Sequence, residues 1–285
     1  MTVLFCVGAL LLFGVWSAPR SSDSSRSIRA VDVGVGLNVD DSMEVVLLKK
    51  KLEEYKQAAI KWRRIAGKQV CDKDLLCSQK DSVGPTGGWC LEPADNPDWF
   101  KAKFHMLPDP TLSSGIVKYL GDKPTVLVDI GAGIGQYGMW FKENNAVNIQ
   151  WHGFDGAENV HEFTNGLVTW TDATDPLFDM IPIRADWVMS LEVGEHIPPE
   201  KTDNFLDTLV RHSRTGVIVS WGIPGQPGHA HINCRPNSEI IELMAQRGYI
   251  QDSWTKEFQK HLRDTCSYFW LKETVMVFKR AKPLQ

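Results

Sequence analysis

Several things are missing from this chain of 285 residues, and each absence narrows the choices. There is no excess of positive charge: 31 Lys and Arg face 35 Asp and Glu, a net charge of −4. A nucleic-acid binder relies on a basic field to meet phosphates, so nucleic acid is a disfavoured partner. No Cys-x-x-Cys pair occurs, which argues against a zinc ribbon or finger. No Asn-x-Ser/Thr acceptor occurs either, so N-glycosylation lends no support to any secretory address. The longest apolar run, residues 3–16, falls short of the roughly 20 residues that cross a bilayer comfortably.

That run sits at the start, where its length suits the core of a signal peptide, with cleavage expected after Ser17. No Lys or Arg precedes it, so a retained signal-anchor is the alternative. Either way the remainder is expected in the secretory pathway, outside the cell, or anchored facing the lumen; membrane contact is expected only if the segment is retained. Beyond Cys6 there are Cys71, Cys77, Cys90, Cys234 and Cys266. Three of the five lie within twenty residues, where a disulfide is expected in an oxidising compartment. The odd count leaves one thiol free or paired with another chain.

Residues 18–43 are rich in Ser, Gly and Asp without apolar periodicity and read as a flexible linker. In 44–67 the residues Val45, Leu48, Leu52, Tyr55, Ala59 and Trp62 alternate spacings of three and four, with Gly67 as a stop. This heptad stripe predicts either a short coiled coil and a homo-oligomer, or an amphipathic helix lying on its own domain. Residues 68–110, with Gly84-Pro-Thr-Gly-Gly88 and four prolines from 93 on, predict an irregular, cystine-stapled lid or collar.

The richest stretch is Val126-Leu-Val-Asp-Ile-Gly-Ala-Gly-Ile-Gly-Gln-Tyr-Gly138. A short apolar run reads as a buried parallel strand, and Tyr137, Trp140 and Phe141 begin a helix. Between them Gly131, Gly133 and Gly135 let backbone approach a ligand. Gly133-x-Gly135-x-x-Gly138 also satisfies the dinucleotide fingerprint, with Asp155 downstream. Asp129 separates the two readings. A carboxylate at the strand end opposes a pyrophosphate and suits a ligand carrying an ammonium and a sulfonium. The Asp-x-Gly-x-Gly-x-Gly run resembles the first motif of class I, seven-strand methyltransferases that use S-adenosylmethionine (SAM).

From 111 on, strands are expected at 126–130, 149–154, 167–170, 187–191, 217–221, 249–254 and 274–278. Helices are expected at 111–120, 136–143, 201–212 and 238–246. This alternation predicts an α/β fold with a doubly wound, mostly parallel sheet. The resemblance implies a Rossmann-like methyltransferase domain over 111–285 with seven strands, the last antiparallel. It also places Asp155 on the ribose hydroxyls, Asp172 on the adenine amino group, with a turn cap as the even alternative, and Leu191 against the cofactor.

Glu192-Val-Gly-Glu-His-Ile197 follows the fourth expected strand and resembles the Glu-Val-x-Glu-His segment of many SAM-dependent methyltransferases. His196 is the first candidate to accept the acceptor's proton, with Glu195 beside it, and these histidines favour transfer to oxygen. Ubiquinone-pathway O-methyltransferases and small-RNA 2′-O-methyltransferases use matching residues as metal ligands. That resemblance implies a divalent cation on Glu192, Glu195 and His196, with His229 as a further ligand. His229 and His231, on the loop after the fifth strand, are further catalytic candidates. Taken together, the motifs look like a group of signal-bearing animal methyltransferase-like proteins. A glycan, a lipid head group, a protein side chain or a small molecule all suit as acceptor. An NAD-dependent oxidoreductase and a non-catalytic binding protein on the same fold are the rival readings.

Overall fold

The computed structural model describes residues 43–72, 86–88, 91 and 107–282. The expected leader, the linker and the cysteines Cys77 and Cys90 lie outside the described residues, as does the side chain of Cys71. Cys234 and Cys266 are free thiols. No described helix is long and apolar enough to cross a membrane. The chain divides into residues 1–49, of which only the opening of the first helix is described, and residues 50–285.

Helix α1 (Met43–Asp72) is followed by α2 (Pro110–Leu120), β1 (Thr125–Ile130), α3 (Gln136–Glu143), β2 (Ile149–Asp155), α4 (Val160–Phe163) and β3 (Val168–Trp170). Then come β4 (Ala185–Ser190), α5 (Thr202–His212), β5 (Ser213–Val219), α6 (Asn237–Gln246) and β6 (Tyr249–Ile250). The chain closes with α7 (Ser253–Thr265), α8 (Leu271–Thr274) and β7 (Met276–Arg280). Seven strands form one sheet in the order β3-β2-β1-β4-β5-β7-β6. Only β7 runs against its neighbours. The strand order reverses between β1 and β4, the place where open α/β sheets bind ligands at their carboxyl ends.

Alternate side chains of the strands fill two cores. Val128, Ile130, Val188, Val217, Val219 and Phe278 face α5 and α6, in one cluster with Phe205, Leu209 and Ile240. Leu127, Met189, Ile218 and Val277 face the other way, onto Ile116 of α2, Phe141 of α3 and Phe258 of α7. Burial on both faces explains why these strands read as near-continuous apolar runs.

Three expectations are corrected. The strand foreseen at 249–254 is two residues long, and α7 begins at Ser253, capped by Asp252, whose carboxylate accepts from the Thr255 N–H at 2.8 Å. The last strand starts at Met276 rather than 274. Helix α1 also does not stop at Gly67. That glycine is a close-approach residue: a Cβ there would lie 1.9 Å from Glu158 Oε2. Beyond Lys49 the heptad stripe faces outward, with Leu52, Tyr55 and Trp62 exposed. A different side of α1 docks. Ile60 is buried in a cluster with Leu91, Val160 and Trp170. Arg63 pairs with the buried Glu158 at 2.6 Å, and Arg64 with Glu162 at 2.6 Å.

Segments from the two ends of this α/β domain meet at Asp109. Its carboxylate accepts from Thr111 N (3.0 Å), Leu112 N (3.0 Å) and Thr111 Oγ1 (2.7 Å), capping α2. It also accepts from Ser267 N (2.6 Å) and Tyr268 N (2.8 Å). Burial alone would raise the Asp109 carboxyl, but the bonds from Leu112, Tyr268, Thr111 and Ser267 outweigh it and hold the group below its ordinary value. Its stabilisation is therefore full above the unfolded value of 3.8 and is lost as pH falls through the depressed folded value. Asp109→Asn turns an N–H₂ toward donors and is expected to cost about 2–3 kcal/mol at pH 7, the difference from wild type shrinking in acid. Urea unfolding at pH 7 and pH 3 measures both.

Candidate functional site

Strand β1 ends in a backbone that only glycine tolerates easily. Gly131, Gly133 and Gly135 have φ of 82°, 56° and 84°. Gly131 N and Ala132 N bond to Phe154 O at 2.8 and 3.0 Å, which ties the loop to the end of β2. Gly133 N donates to Asp155 Oδ2 at 2.8 Å, and Ala157 N donates to Asp155 Oδ1 at 2.7 Å. One carboxylate thus fixes the glycine loop and its own loop together. Burial pushes the Asp155 carboxyl up against the pull of N–H bonds from Ala157, Gly133 and Gly156. Gly138 has a packing role: a Cβ there would fall 2.3 Å from the Trp151 indole.

A cavity of about 580 Å³ opens over these loops. Of the residues expected to hold a cofactor, Gly135 is not on its wall, whereas Gly131, Gly133, Asp155 and Leu191 line it. Asp129 does not. It is buried behind the wall on the α3 side of the sheet and accepts from Trp151 Nε1 at 3.2 Å. Burial raises its pKa to about 7, against the Trp151 bond and with the charge of Asp155. Asp172 makes the bonds of a turn cap: its carboxylate accepts from Thr174 N (2.9 Å) and Thr174 Oγ1 (2.6 Å), while its neighbours Thr171 and Ala173 line the cavity.

The far end of the cavity is built by the turn after β4 and the loop after β5. Glu192 has φ 55°, a strained value for a non-glycine residue. It is held by Ser220 Oγ on its N–H (2.8 Å), and by Gln226 Nε2 (2.7 Å) and Thr274 Oγ1 (3.1 Å) on its carboxylate. Glu195 is fully buried, and both its carboxylate oxygens lack a hydrogen-bond partner. Burial, then the charge of Glu192, raises its pKa well above the ordinary value. Buried His196 lines the cavity, with Nδ1 3.2 Å from Ala230 O. In the neutral tautomer this bond leaves Nε2 as the unprotonated nitrogen. Burial, then His231, depresses His196 to about 4.

Glu195, His196 and His231 each offer one donor atom, all within 4.8 Å of one another. This set corrects the expected one. Glu192 is engaged by Gln226 and Thr274, and His229 stands exposed on the rim. His231 takes the place of His229, its Nδ1 3.1 Å from Gln226 O and its Nε2 4.0 Å from Glu195 Oε1. The orphaned carboxylate and two imidazoles fit a divalent cation in donor type.

Sequence reasoning missed the aromatic wall. Tyr268 stacks on Trp270 at 4.7 Å between centroids, and Phe269, 73% exposed, stands edge-on to Trp270 at 5.0 Å. All three line the cavity. The consecutive Tyr-Phe-Trp in an otherwise polar stretch was the available signal.

No family model matches the chain, and no curated relative matches it. Solved structures do. A TehB-like SAM-dependent methyltransferase from Corynebacterium glutamicum is 14% identical, with a TM-score of 0.46, over 66% of this chain and 100% of that one. Magnesium protoporphyrin IX methyltransferase from Synechocystis with bound SAM is 14% identical, with a TM-score of 0.41, over 60% and 77%. A Burkholderia thailandensis 1,6-didemethyltoxoflavin-N1-methyltransferase is 17% identical, with a TM-score of 0.41, over 67% and 84%.

Asp129 carries a testable consequence. Its folded pKa lies above the ordinary value of 3.8, so the folded state holds the proton more tightly, and wild-type stability falls as pH rises from about 4 through about 7. Asp129→Asn keeps an acceptor for Trp151 without the buried charge. Its unfolding free energy is expected to exceed that of wild type at pH 8 by on the order of 2 kcal/mol, with a higher thermal midpoint, and to converge on it at pH 4. Scanning calorimetry across that range checks the crossing.

Proposed function

We propose that the chain is a SAM-dependent methyltransferase acting on a hydroxyl acceptor. The observation that carries this reading is the arrangement at the switch point. Two left-handed glycines, Gly131 and Gly133, and Asp155 share one cavity with His196 and His231, which have the buried Glu195 carboxylate beside them. The first part offers glycine backbone and an acid to a nucleoside; the second offers proton acceptors to a hydroxyl. Asp155, already holding two N–H groups, retains lone pairs for ribose hydroxyls. Nearby carboxylates favour a ligand bearing an ammonium and a sulfonium over a pyrophosphate.

The transfer is an in-line displacement. The acceptor oxygen forms a bond to the methyl carbon as the carbon–sulfur bond breaks, and neutral S-adenosylhomocysteine leaves. Most of the rate comes from holding the two atoms in line. His196, on the cavity wall, takes the hydroxyl proton on Nε2. Glu195, with a donor atom within 4.8 Å of one on His196, is the group to which that proton passes on. The buried environment divides these roles. It weakens His196 as a base by itself and raises the proton affinity of Glu195. Should a divalent cation occupy Glu195, His196 and His231, it would lower the pKa of the acceptor hydroxyl. The acceptor remains one of the four classes named from the sequence, and the secretory address rests on residues 3–16 alone.

Titration calorimetry tests the cofactor. SAM is expected to bind, NAD not, and Asp155→Ala to weaken SAM at least tenfold. A protein that binds NAD and ignores SAM ends this reading. For the chemistry, labelled SAM is incubated with fractionated extract to find the methylated species. His196→Ala is then expected to cut turnover by at least about 100-fold with SAM affinity nearly unchanged. SAM binding without transfer into any fraction favours the non-catalytic binding protein. Activity surviving exhaustive dialysis against a chelator removes the metal.

A further inference from the structure

Of the Gly84-Pro-Thr-Gly-Gly88 stretch, Thr86, Gly87 and Gly88 are described, and they lie far from any strand of the domain in sequence. We propose that these three residues belong to the cofactor site, forming a fixed wall of its nucleoside subsite that α1 holds in place. The proposal rests on the SAM reading given above and goes beyond it by assigning the site's missing side to the N-terminal extension.

The placement is unusually tight. Thr86, Gly87, Gly88 and Leu91 all line the 580 Å³ cavity. Thr86 Oγ1 donates to Gly156 O at 3.0 Å and accepts from Gly88 N at 3.3 Å. Gly88 lies on the backbone of the loop that follows Asp155: a Cβ there would be 2.8 Å from both Ala157 N and Gly156 C. Gly87, at φ 80°, lies against the turn after β4, where a Cβ would be 2.6 Å from Ile197 Cδ1 and 3.0 Å from His196 O. Three residues therefore bridge the loop expected to hold the ribose and the turn expected to face the acceptor. Neither contact leaves room for a side chain.

The bridge is anchored on its outer side. Leu91 N donates to Asn159 Oδ1 at 2.8 Å, and Asn159 Nδ2 donates to Leu91 O at 2.6 Å. Leu91 packs in one buried cluster with Ile60 of α1. Two further α1 residues grip the same loop region, Arg63 on Glu158 and Arg64 on Glu162. Ala157 is the link to chemistry. Its N–H is one of the two that fix the Asp155 carboxylate, and its backbone is the surface on which Gly88 rests. Moving the bridge moves an N–H that sets the aim of Asp155. A nucleoside held by Asp155 thus reports the position of residues 86–88.

Gly88→Ala places a methyl against backbone that no rotamer change can relieve. SAM affinity, read by titration calorimetry on the full chain, is expected to fall at least tenfold. Thr86→Val removes the bond to Gly156 while keeping the shape, and is expected to weaken SAM about threefold or more. Thr86→Val should retain a thermal midpoint near that of wild type without ligand, whereas Gly88→Ala is expected to lower it; a merely structural wall would lower the midpoint in both and leave the affinity of the folded fraction unchanged. If Gly88→Ala fails to fold, Thr86→Val decides alone. Wild-type affinity in a folded Thr86→Val and a folded Gly88→Ala overturns the proposal while the SAM reading stands. No SAM binding by wild type overturns both.

Discussion

The site depends on one carboxylate with two backbone partners. Asp155 ends β2, and its two oxygens take the N–H of Gly133 and the N–H of Ala157. The first belongs to the loop after β1, the second to the loop after β2, so two neighbouring strand ends are locked in register beyond the ladder itself. A loop of three left-handed glycines has little conformational preference of its own. The bonds its N–H groups donate to Phe154 O and to Asp155 give it one shape. Two further parts of the cavity wall abut that edge: Gly88 lies on the loop after β2, and Val193 fills the space that a Gly131 side chain would need.

Around this anchor, negative groups are concentrated out of water. Asp129, Asp155, Glu158 and Glu195 all have pKa values raised first by burial. Glu158 has Arg63 as a counter-charge, while Glu195 has no hydrogen-bonded partner for either oxygen. Such an arrangement costs folding free energy in the absence of ligand.

Much of the domain was legible in the sequence because it is local. Strand, glycine loop and helix at 126–143 follow from residue types within a few positions of one another, and the alternation of elements gave the sheet. The missed features are long-range or directional. Trp254, Phe258 and Leu262 do carry a four-residue spacing, but the preceding Tyr249 and Ile250 begin as strand and masked the helix that follows. His229 and His231 are two apart on a loop, and only the fold shows that His231 points at Glu195. Asp129 stood out as a strand-end acid. Which face it takes depends on strand parity, which puts it with Leu127 against Trp151 rather than in the cavity. Gly67 looked like a stop because the close approach of Glu158, 91 residues away, leaves no local trace.

The position of β7 bears on how this molecule is made. The final strand, Met276–Arg280, is inserted between β5 and β6, although both precede it in the chain. While the ribosome is still adding α7, Val217, Ile218 and Val219 have one flank of their backbone unmatched, and β6 has no neighbour at all. Asp109 likewise waits for Ser267 and Tyr268 before its carboxylate is satisfied. The nascent domain therefore exposes an apolar sheet margin until β7 emerges, and loss of β7 leaves that margin permanently open to pairing with other chains.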